Sequence, residues 1–93
     1  MHYTYVLLSG KDGRLYTGTS ADLRARFREH QAGQVRSTSY GRPWRLIYYE
    51  ACLDGNDAFR RERFLKTGKG KRYLRNRLSG FLSQVGHNKL ERH

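Results

Sequence analysis

Five side chains, spread over the first two thirds of the sequence, are of the types that phosphodiester hydrolysis needs. In chain order they are Tyr5, Tyr16, Arg26, His30 and Glu62. Arginine can hold phosphate oxygens in its planar fork, a carboxylate can bind a hard divalent cation, and tyrosine or histidine can exchange a proton. The chain also carries 19 Lys and Arg against 8 Asp and Glu, a net charge of +11. This excess predicts a polyanionic partner, and nucleic acid supplies both the charge and the phosphodiester.

Length and composition restrict the chain to a few classes of protein. Its 93 residues fit one small domain, and its one cysteine, Cys52, can form neither an intramolecular disulfide nor a cysteine-rich zinc site. The first residues lack the pattern of a secretion signal, and no apolar run approaches the roughly 20 residues that span a bilayer. We therefore expect a cytoplasmic protein with no membrane partner.

The apolar patterning predicts an α/β (α+β) fold with the element order β-β-α-β-α-α. Asp12-Gly13 is a strong turn signal, which predicts a hairpin and hence a small, three-stranded, mainly antiparallel sheet flanked by helices. We expect one domain over residues 1–85 and a polar tail over residues 86–93. Gly80 is expected to weaken the last helix after residue 79. The predicted strands are 3–8, 14–19 and 45–51, and the predicted helices lie near 20–31, 57–66 and 71–85.

The first predicted helix carries two of the five side chains one turn apart. At 100° per residue, Leu23 and Phe27 define its apolar face, and Arg26 and His30 lie together at one edge of that face. Both could belong to a site, or their stems could simply cover the boundary of the core. The two strand tyrosines present the same choice between site and core aromatics. Whether they share one face depends on a strand register that the sequence does not fix.

The second predicted helix places a carboxylate inside its apolar face. Glu62 lies between Phe59 on one side and Ala58 and Leu65 on the other. A partly buried carboxylate is costly unless a cation pairs with it. An arginine or a divalent metal ion could each supply that positive charge, and the helical pattern does not choose between them.

In their order, these residues resemble the GIY-YIG nuclease superfamily in its small, single-domain UPF0213 form. The first motif is Tyr3-Thr4-Tyr5, with Tyr3 in place of the family's glycine, and the second is Tyr16-Thr17-Gly18, with threonine in place of isoleucine. The family's arginine, histidine and carboxylate fall on Arg26, His30 and Glu62. Shorter stretches that also look like the small group are Ser37-Thr38, Arg42-Pro43, Tyr48-Tyr49-Glu50 and Gly68-Lys69-Gly70. The resemblance covers roughly residues 3–78.

The resemblance implies a role for each of the five side chains. Glu62 would bind a single Mg²⁺ or Mn²⁺, and Arg26 would hold non-bridging phosphate oxygens. One of Tyr5 and Tyr16 would help to deprotonate the attacking water, and the other would hold the phosphate or the metal-bound water. His30 would relay that proton or bind phosphate. Because an unperturbed tyrosine has a pKa near 10, the base needs a neighbouring positive charge.

Nucleic-acid contacts are expected from the basic run around the carboxylate, because such residues hold phosphates without reading sequence. The candidates are Arg63, Lys66, Lys69, Lys71 and Arg72. Tyr40, in the polar loop, could stack a base. Asn76 is the one asparagine at the distance from the carboxylate at which many family members have one, although it falls opposite the apolar stripe of its helix.

The sequence and the resemblance together favour a metal-dependent endonuclease that hydrolyses DNA in preference to RNA. Nothing in the chain looks like a sequence-reading module, so we expect selectivity for DNA structure and a role in DNA repair or processing. One small domain with one site would act on structured, nicked or single-stranded DNA, or would need a protein partner for targeting. The alternative is a non-catalytic, basic nucleic-acid-binding module, which would not require the two tyrosines, the arginine and the carboxylate together.

Overall fold

The computed structural model describes residues 1–86 and contains one three-stranded antiparallel sheet, which confirms the predicted α/β (α+β) fold. The strands are β1 (His2–Ser9), β2 (Leu15–Ser20) and β3 (Trp44–Cys52), in the spatial order β2-β1-β3. Because β1 is central, β2 is an edge strand, and one of its sides pairs with no other strand of the described chain. The turn between β1 and β2 uses Gly13 at φ 78°, a conformation that favours glycine.

The helices flank the sheet as predicted. They are α1 (Leu23–Ala32), α2 (Gly55–Leu65), α3 (Gly68–Arg77) and α4 (Ser79–Gln84), and a 3₁₀ segment (Arg36–Gly41) lies between α1 and β3. Within residues 1–86, no helix is both long enough and apolar enough to cross a membrane. Most of the expected polar tail, residues 87–93, lies outside the described residues.

The central strand separates two halves of the hydrophobic core. Tyr5 and Leu7 point to one face of the sheet, where Trp44 and side chains of α1 pack against them. Val6 points to the other face and packs against Leu65 at the end of α2 and against Leu74 of α3. This alternation follows from the two-residue period of a strand, and it explains why β1 is apolar on both faces.

The last predicted helix is two helices, and it begins earlier than expected. Thr67 caps α3 by accepting a hydrogen bond from the Gly70 N–H at 3.1 Å, so the first turn forms before residue 71. Gly70 also permits a close approach to α2, because a Cβ there would overlap the carbonyl oxygen of Phe64. The helix is interrupted at Leu78, where φ is −108° and ψ is 18°. The predicted element order therefore holds, with its last helix divided.

Candidate active site

Three aromatic rings from three elements meet on the α1 face of the sheet. They belong to Tyr5 of β1, Tyr16 of β2 and His30 of α1. The ring centroids lie 6.5 Å apart for the two tyrosines, 5.7 Å for Tyr5 and His30, and 5.2 Å for Tyr16 and His30. The strand register produces this cluster, since Tyr5 stands opposite Gly18 and Leu7 opposite Tyr16, which points both tyrosines to one face.

Gly18 provides the space that the Tyr5 hydroxyl occupies. A Cβ at position 18 would lie 2.6 Å from the Tyr5 hydroxyl oxygen and 3.1 Å from Cε2 of Tyr16. Even an alanine side chain would therefore overlap the tyrosine. The glycine of the second sequence motif is required by this contact across the two strands.

His30 was predicted at the edge of the apolar face of α1, but it is fully buried at 0% exposure. Its Nε2 lies 2.8 Å from the Tyr5 hydroxyl oxygen, and its Nδ1 lies 2.7 Å from Oγ1 of Thr38. The Thr38 hydroxyl donates its one hydrogen to the Val35 carbonyl at 3.3 Å, so it accepts from Nδ1–H, and Nε2 accepts from Tyr5. Burial, followed by the charge of Arg26, lowers the pKa of His30 and keeps the imidazole neutral at pH 7.

The two tyrosines differ in their access to solvent, and the surroundings of Tyr5 also change its pKa. Tyr5 is 1% exposed, whereas Tyr16 is only partly buried. Burial raises the pKa of Tyr5 to about 12; the neighbouring Tyr16 adds to the rise, and the guanidinium of Arg26 beside the hydroxyl opposes it. Tyr5 therefore keeps its proton at neutral pH and donates it to His30. Tyr16 is the tyrosine that a substrate can touch.

Arg26 brings a positive charge to the edge of this cluster. Its Nη1 lies 2.8 Å from Oε1 of Glu29, and its side chain is 38% exposed. The hydrogen bond to Glu29 raises the pKa of Arg26, burial opposes that rise, and Tyr5 adds to it. The guanidinium is thus charged, held in position and accessible, as an anion-binding group must be.

Glu62 lies on the other face of the edge strand β2. Its Oε1 accepts a hydrogen bond from the Thr19 hydroxyl at 3.1 Å, and its Oε2 accepts one from the Lys66 ammonium at 2.6 Å. The glutamate side chain is 14% exposed, which agrees with the partial burial that the helical pattern predicted. The expected apolar neighbour Phe59 is instead 51% exposed. The cation that pairs with the carboxylate is a lysine rather than an arginine.

The two halves of the site approach each other across β2. The Nζ atom of Lys66 lies 5.9 Å from the centroid of the Tyr16 ring. The negative charge of Glu62 is close enough to contribute to the raised pKa of Tyr5. Tyr16 consequently packs against His30 on one face of the sheet and lies near Lys66, the ion-pair partner of Glu62, on the other.

The remaining predicted residues lie at different distances from this centre. Lys66 and Lys71 line a cleft together with Tyr16. Tyr40 lines a separate cavity between the 3₁₀ segment and Pro43, and the guanidinium of Arg14 lies 5.7 Å from its ring centroid. The other predicted nucleic-acid contacts and the candidate asparagine are exposed but do not line the cleft with Tyr16: Arg63, Lys69, Arg72 and Asn76.

Two threonines of the site were not predicted from the sequence. Thr38 fixes His30, and Thr19 fixes Glu62, each through one hydroxyl. The only signal for Thr38 was the Ser37-Thr38 pair within the family resemblance. Thr19 gave no signal, because its role depends on how α2 is placed against the edge strand.

Similarity to known proteins identifies the family of the chain. Residues 1–77 match the model of the GIY-YIG catalytic domain. The chain therefore belongs to the GIY-YIG family, a family of nucleases. It is also similar to the UPF0213 proteins of Staphylococcus aureus strains Mu50, N315 and MW2, each 36% identical over 75 residues, which is 80% of this chain and 90% of the relative. No solved structure matches the chain significantly.

Proposed function

We propose that the chain is a divalent-metal-dependent endonuclease that hydrolyses phosphodiester bonds in DNA. The observation that carries the proposal is the place of Tyr16, which is partly exposed, packs against the ring of His30, and lies 5.9 Å from the ammonium of Lys66, the ion-pair partner of Glu62. Phosphodiester hydrolysis needs a phosphate-binding cation, a proton-transfer group and charge neutralisation at one point. These side chains supply all three from separate elements, so their meeting is not explained by one helix or strand.

The carboxylate suits a single Mg²⁺ or Mn²⁺ better than a metal held by many protein ligands. Within residues 1–86, no three His, Cys, Asp or Glu side chains are grouped so that they could hold a metal ion. Mg²⁺ commonly takes one or two protein carboxylates and keeps several waters. Glu62 already attracts one cation, the Lys66 ammonium, and the lysine side chain is 51% exposed and free to move into solvent. The donor set therefore fits a hydrated ion that Glu62 would hold through its carboxylate.

Each protein group has one task in the proposed reaction. Arg26 binds the non-bridging oxygens of the phosphate and places the phosphorus atom beside Tyr16. The Tyr16 oxygen, having given its own hydrogen to solvent, orients the attacking water and accepts its proton as the new P–O bond forms; the opposite P–O bond breaks, and its leaving oxygen takes a proton from solvent. When bound at Glu62, the divalent ion supplies positive charge that stabilises the developing negative charge.

Tyr5 and His30 act as positioning residues in this proposal. Tyr5, with its pKa raised to about 12, keeps its proton and is held by the hydrogen bond to Nε2 of His30. His30 is fully buried, which leaves no route for a direct contact with phosphate. Their hydrogen bond fixes the two rings against which the ring of Tyr16 packs.

The substrate part of the proposal is DNA recognised by its structure rather than its sequence. The exposed cations of α2 and α3, among them Lys69 and Arg72, can hold a phosphate backbone but cannot distinguish bases. Such selectivity would suit a role in DNA repair or processing. A cytoplasmic location and a protein partner for targeting are further parts of the proposal.

One observation favours the alternative of a non-catalytic nucleic-acid-binding module. The Lys66 ammonium lies 2.6 Å from Oε2 of Glu62, so the carboxylate is already neutralised by the protein. A module that only binds nucleic acid would keep this ion pair permanently. The two functions therefore differ in whether divalent metal replaces the lysine.

The test is cleavage of supercoiled plasmid and branched DNA in Mg²⁺, Mn²⁺ or EDTA by the wild type and by Glu62→Gln. We expect metal-dependent cutting that the variant loses while its DNA affinity is unchanged. Asp57→Asn is the matched control, because Asp57 lies on the same helix but pairs with Arg60 at the surface. Salt-sensitive DNA binding without cutting by either protein would replace the nuclease with the binding module.

A further inference from the structure

A cleft of about 590 Å³ opens between β2 and the junction of α2 with α3, directly beside Tyr16. Three leucines line it: Leu15 is partly buried, Leu65 is 1% exposed and Leu74 is 2% exposed. Leu15 and the ring of Tyr16, both partly buried, supply the accessible apolar surface, and Leu65 and Leu74 form the floor behind them; this apolar inner surface is called the leucine wall. The volume is within the range of roughly 300–1,000 Å³ that is typical of small-molecule sites.

The outer border of the cleft is positively charged. Arg14, Lys66 and Lys71 line it, and all three are exposed. One carboxylate is also present, Asp12, which pairs with Arg14 at 3.4 Å. Among the described residues, the Lys71 ammonium pairs with no carboxylate. An apolar wall bordered by cations is complementary to a molecule that combines a flat apolar group with a phosphate.

We infer that this cleft holds one unpaired nucleotide of the DNA strand that is cut, with its base against the leucine wall and its phosphate against Lys71. This inference rests on the proposed nuclease function and adds to it the class of substrate. Because Tyr16 belongs both to the active site and to the cleft, the bound nucleotide lies next to the cleaved bond.

A base-paired nucleotide cannot use the cleft in this way. In a duplex both faces of each base are covered by its neighbours, so a duplex would meet the outer cations and leave the leucine wall uncovered. Extracting a paired base costs a few kcal/mol, and this cost is smallest for a base that is already unpaired. The cleft therefore selects DNA with unpaired nucleotides, such as flaps, gaps and single strands.

The test is an abasic scan by fluorescence anisotropy in EDTA, where no metal-dependent cleavage occurs. A labelled flap DNA is prepared with one abasic nucleotide at each successive position, so that the number of phosphates stays constant. We expect one position near the flap junction at which loss of the base weakens binding by about tenfold, with little effect elsewhere. A flat profile would overturn the inference, because it would mean that only the backbone is bound.

Three variants make the result specific to the cleft. Leu15→Ala, whose folding is checked by thermal denaturation, should reduce the abasic effect at the sensitive position, while an unchanged effect would place the base elsewhere. Lys71→Met should weaken binding and lower the salt dependence by about one phosphate contact. The matched change Arg28→Met on α1 removes an exposed cation outside the cleft and should leave the profile unaltered.

The same flap DNAs, incubated with Mg²⁺ or Mn²⁺, separate failure of this inference from failure of the proposed function. Cutting combined with a flat abasic profile would retain the nuclease and reject the nucleotide site. A peak without cutting would retain the nucleotide site and reject the nuclease. Where both are found, the sensitive nucleotide should be adjacent to the cut bond, and a separation of several nucleotides would contradict the shared position of Tyr16.

Discussion

The hydroxyl oxygen of Tyr5 lies 2.8 Å from Nε2 of His30, and both side chains are at most 1% exposed. Two residues that a family pattern would place in one catalytic group thus face each other inside the protein. Their hydrogen bond continues through Nδ1 to Thr38, which ties β1, α1 and the 3₁₀ segment together. A substrate can instead reach Tyr16 and Arg26, which are partly exposed at the edge of the same cluster.

The two tyrosines should respond differently to removal of their hydroxyl groups. Tyr16→Phe should lower kcat by about 10²–10⁴-fold, because a positioned proton-transfer group is lost. Tyr5→Phe should lower the free energy of unfolding by about 1–3 kcal/mol, because buried Nε2 of His30 loses its partner, and should reduce kcat less. Urea denaturation and plasmid cleavage measure the two effects. A larger loss of kcat in Tyr5→Phe than in Tyr16→Phe would reverse the assignment.

His30 should make stability depend on pH. Its pKa in the folded protein is lowered, first by burial and then by Arg26, from an ordinary value of 6.5. Below pH 6.5 the unfolded chain therefore binds more protons than the folded chain, and the free energy of unfolding falls as pH falls through that window. The contribution is fully present above pH 6.5.

Urea denaturation between pH 7.5 and about 4 would measure this effect as a difference between the wild type and His30→Gln. The variant should lose less stability on acidification than the wild type does. Equal slopes would show that His30 titrates alike in the folded and unfolded chain, contrary to its burial. Because both proteins contain the same carboxylates, subtracting one pH dependence from the other removes the effect of carboxylate titration on the free energy of unfolding.

Gly18→Ala should destabilise the protein and reduce activity together. The new Cβ would lie 2.6 Å from the Tyr5 hydroxyl oxygen and 2.8 Å from its Cζ, so the ring must shift, at a cost of about 1–3 kcal/mol. The matched change is Gly68→Ala at the start of α3, where a Cβ would meet nothing within 4 Å. That change should leave stability unaltered or raise it by up to about 1 kcal/mol. Thermal unfolding measures the stability of both variants. Equal losses would contradict the predicted overlap between a Cβ at position 18 and Tyr5.

The fold was accessible to sequence reasoning because its signals are local. The Asp12-Gly13 turn and the apolar strands predicted the hairpin and the sheet, and helical periodicity placed Glu62 in a partly buried position. The division of the last helix at Leu78 was less accessible, because a run of residues with helical periodicity does not show where packing interrupts it. Gly70 similarly reads as a breaker, yet it lies inside α3 where two backbones approach closely.

The sequence named the members of the candidate site but not their geometry. The order of motifs shared with the family identified Tyr5, Tyr16 and His30. Their different exposure depends on the strand register and on how closely α1 packs against the sheet, which are tertiary properties. A helical wheel put His30 at the boundary because it counts only the neighbours on its own helix. The structure buries it with a threonine from a loop, a partner that no periodicity reveals.

Lys66 should compete with divalent metal for Glu62. Its ammonium lies 2.6 Å from Oε2 of the carboxylate, and because the lysine is 51% exposed the ion pair stabilises by only about 0.3–0.5 kcal/mol. Lys66→Gln should therefore tighten Mn²⁺ binding by about twofold or more, and should weaken DNA binding through loss of one phosphate contact. Isothermal titration with Mn²⁺ and anisotropy with labelled DNA measure the two quantities separately.

The controls distinguish competition at the carboxylate from a general effect of charge. Lys69→Gln removes an exposed lysine of α3 that makes no ion pair with Glu62 within the described chain, and it should weaken DNA binding while leaving Mn²⁺ affinity nearly unchanged. Adding Glu62→Gln to either lysine variant should abolish the heat of Mn²⁺ binding in the titration. Competition by Lys66 would be contradicted in two cases: if Lys66→Gln and Lys69→Gln changed the Mn²⁺ affinity equally, or if Lys66→Gln weakened it.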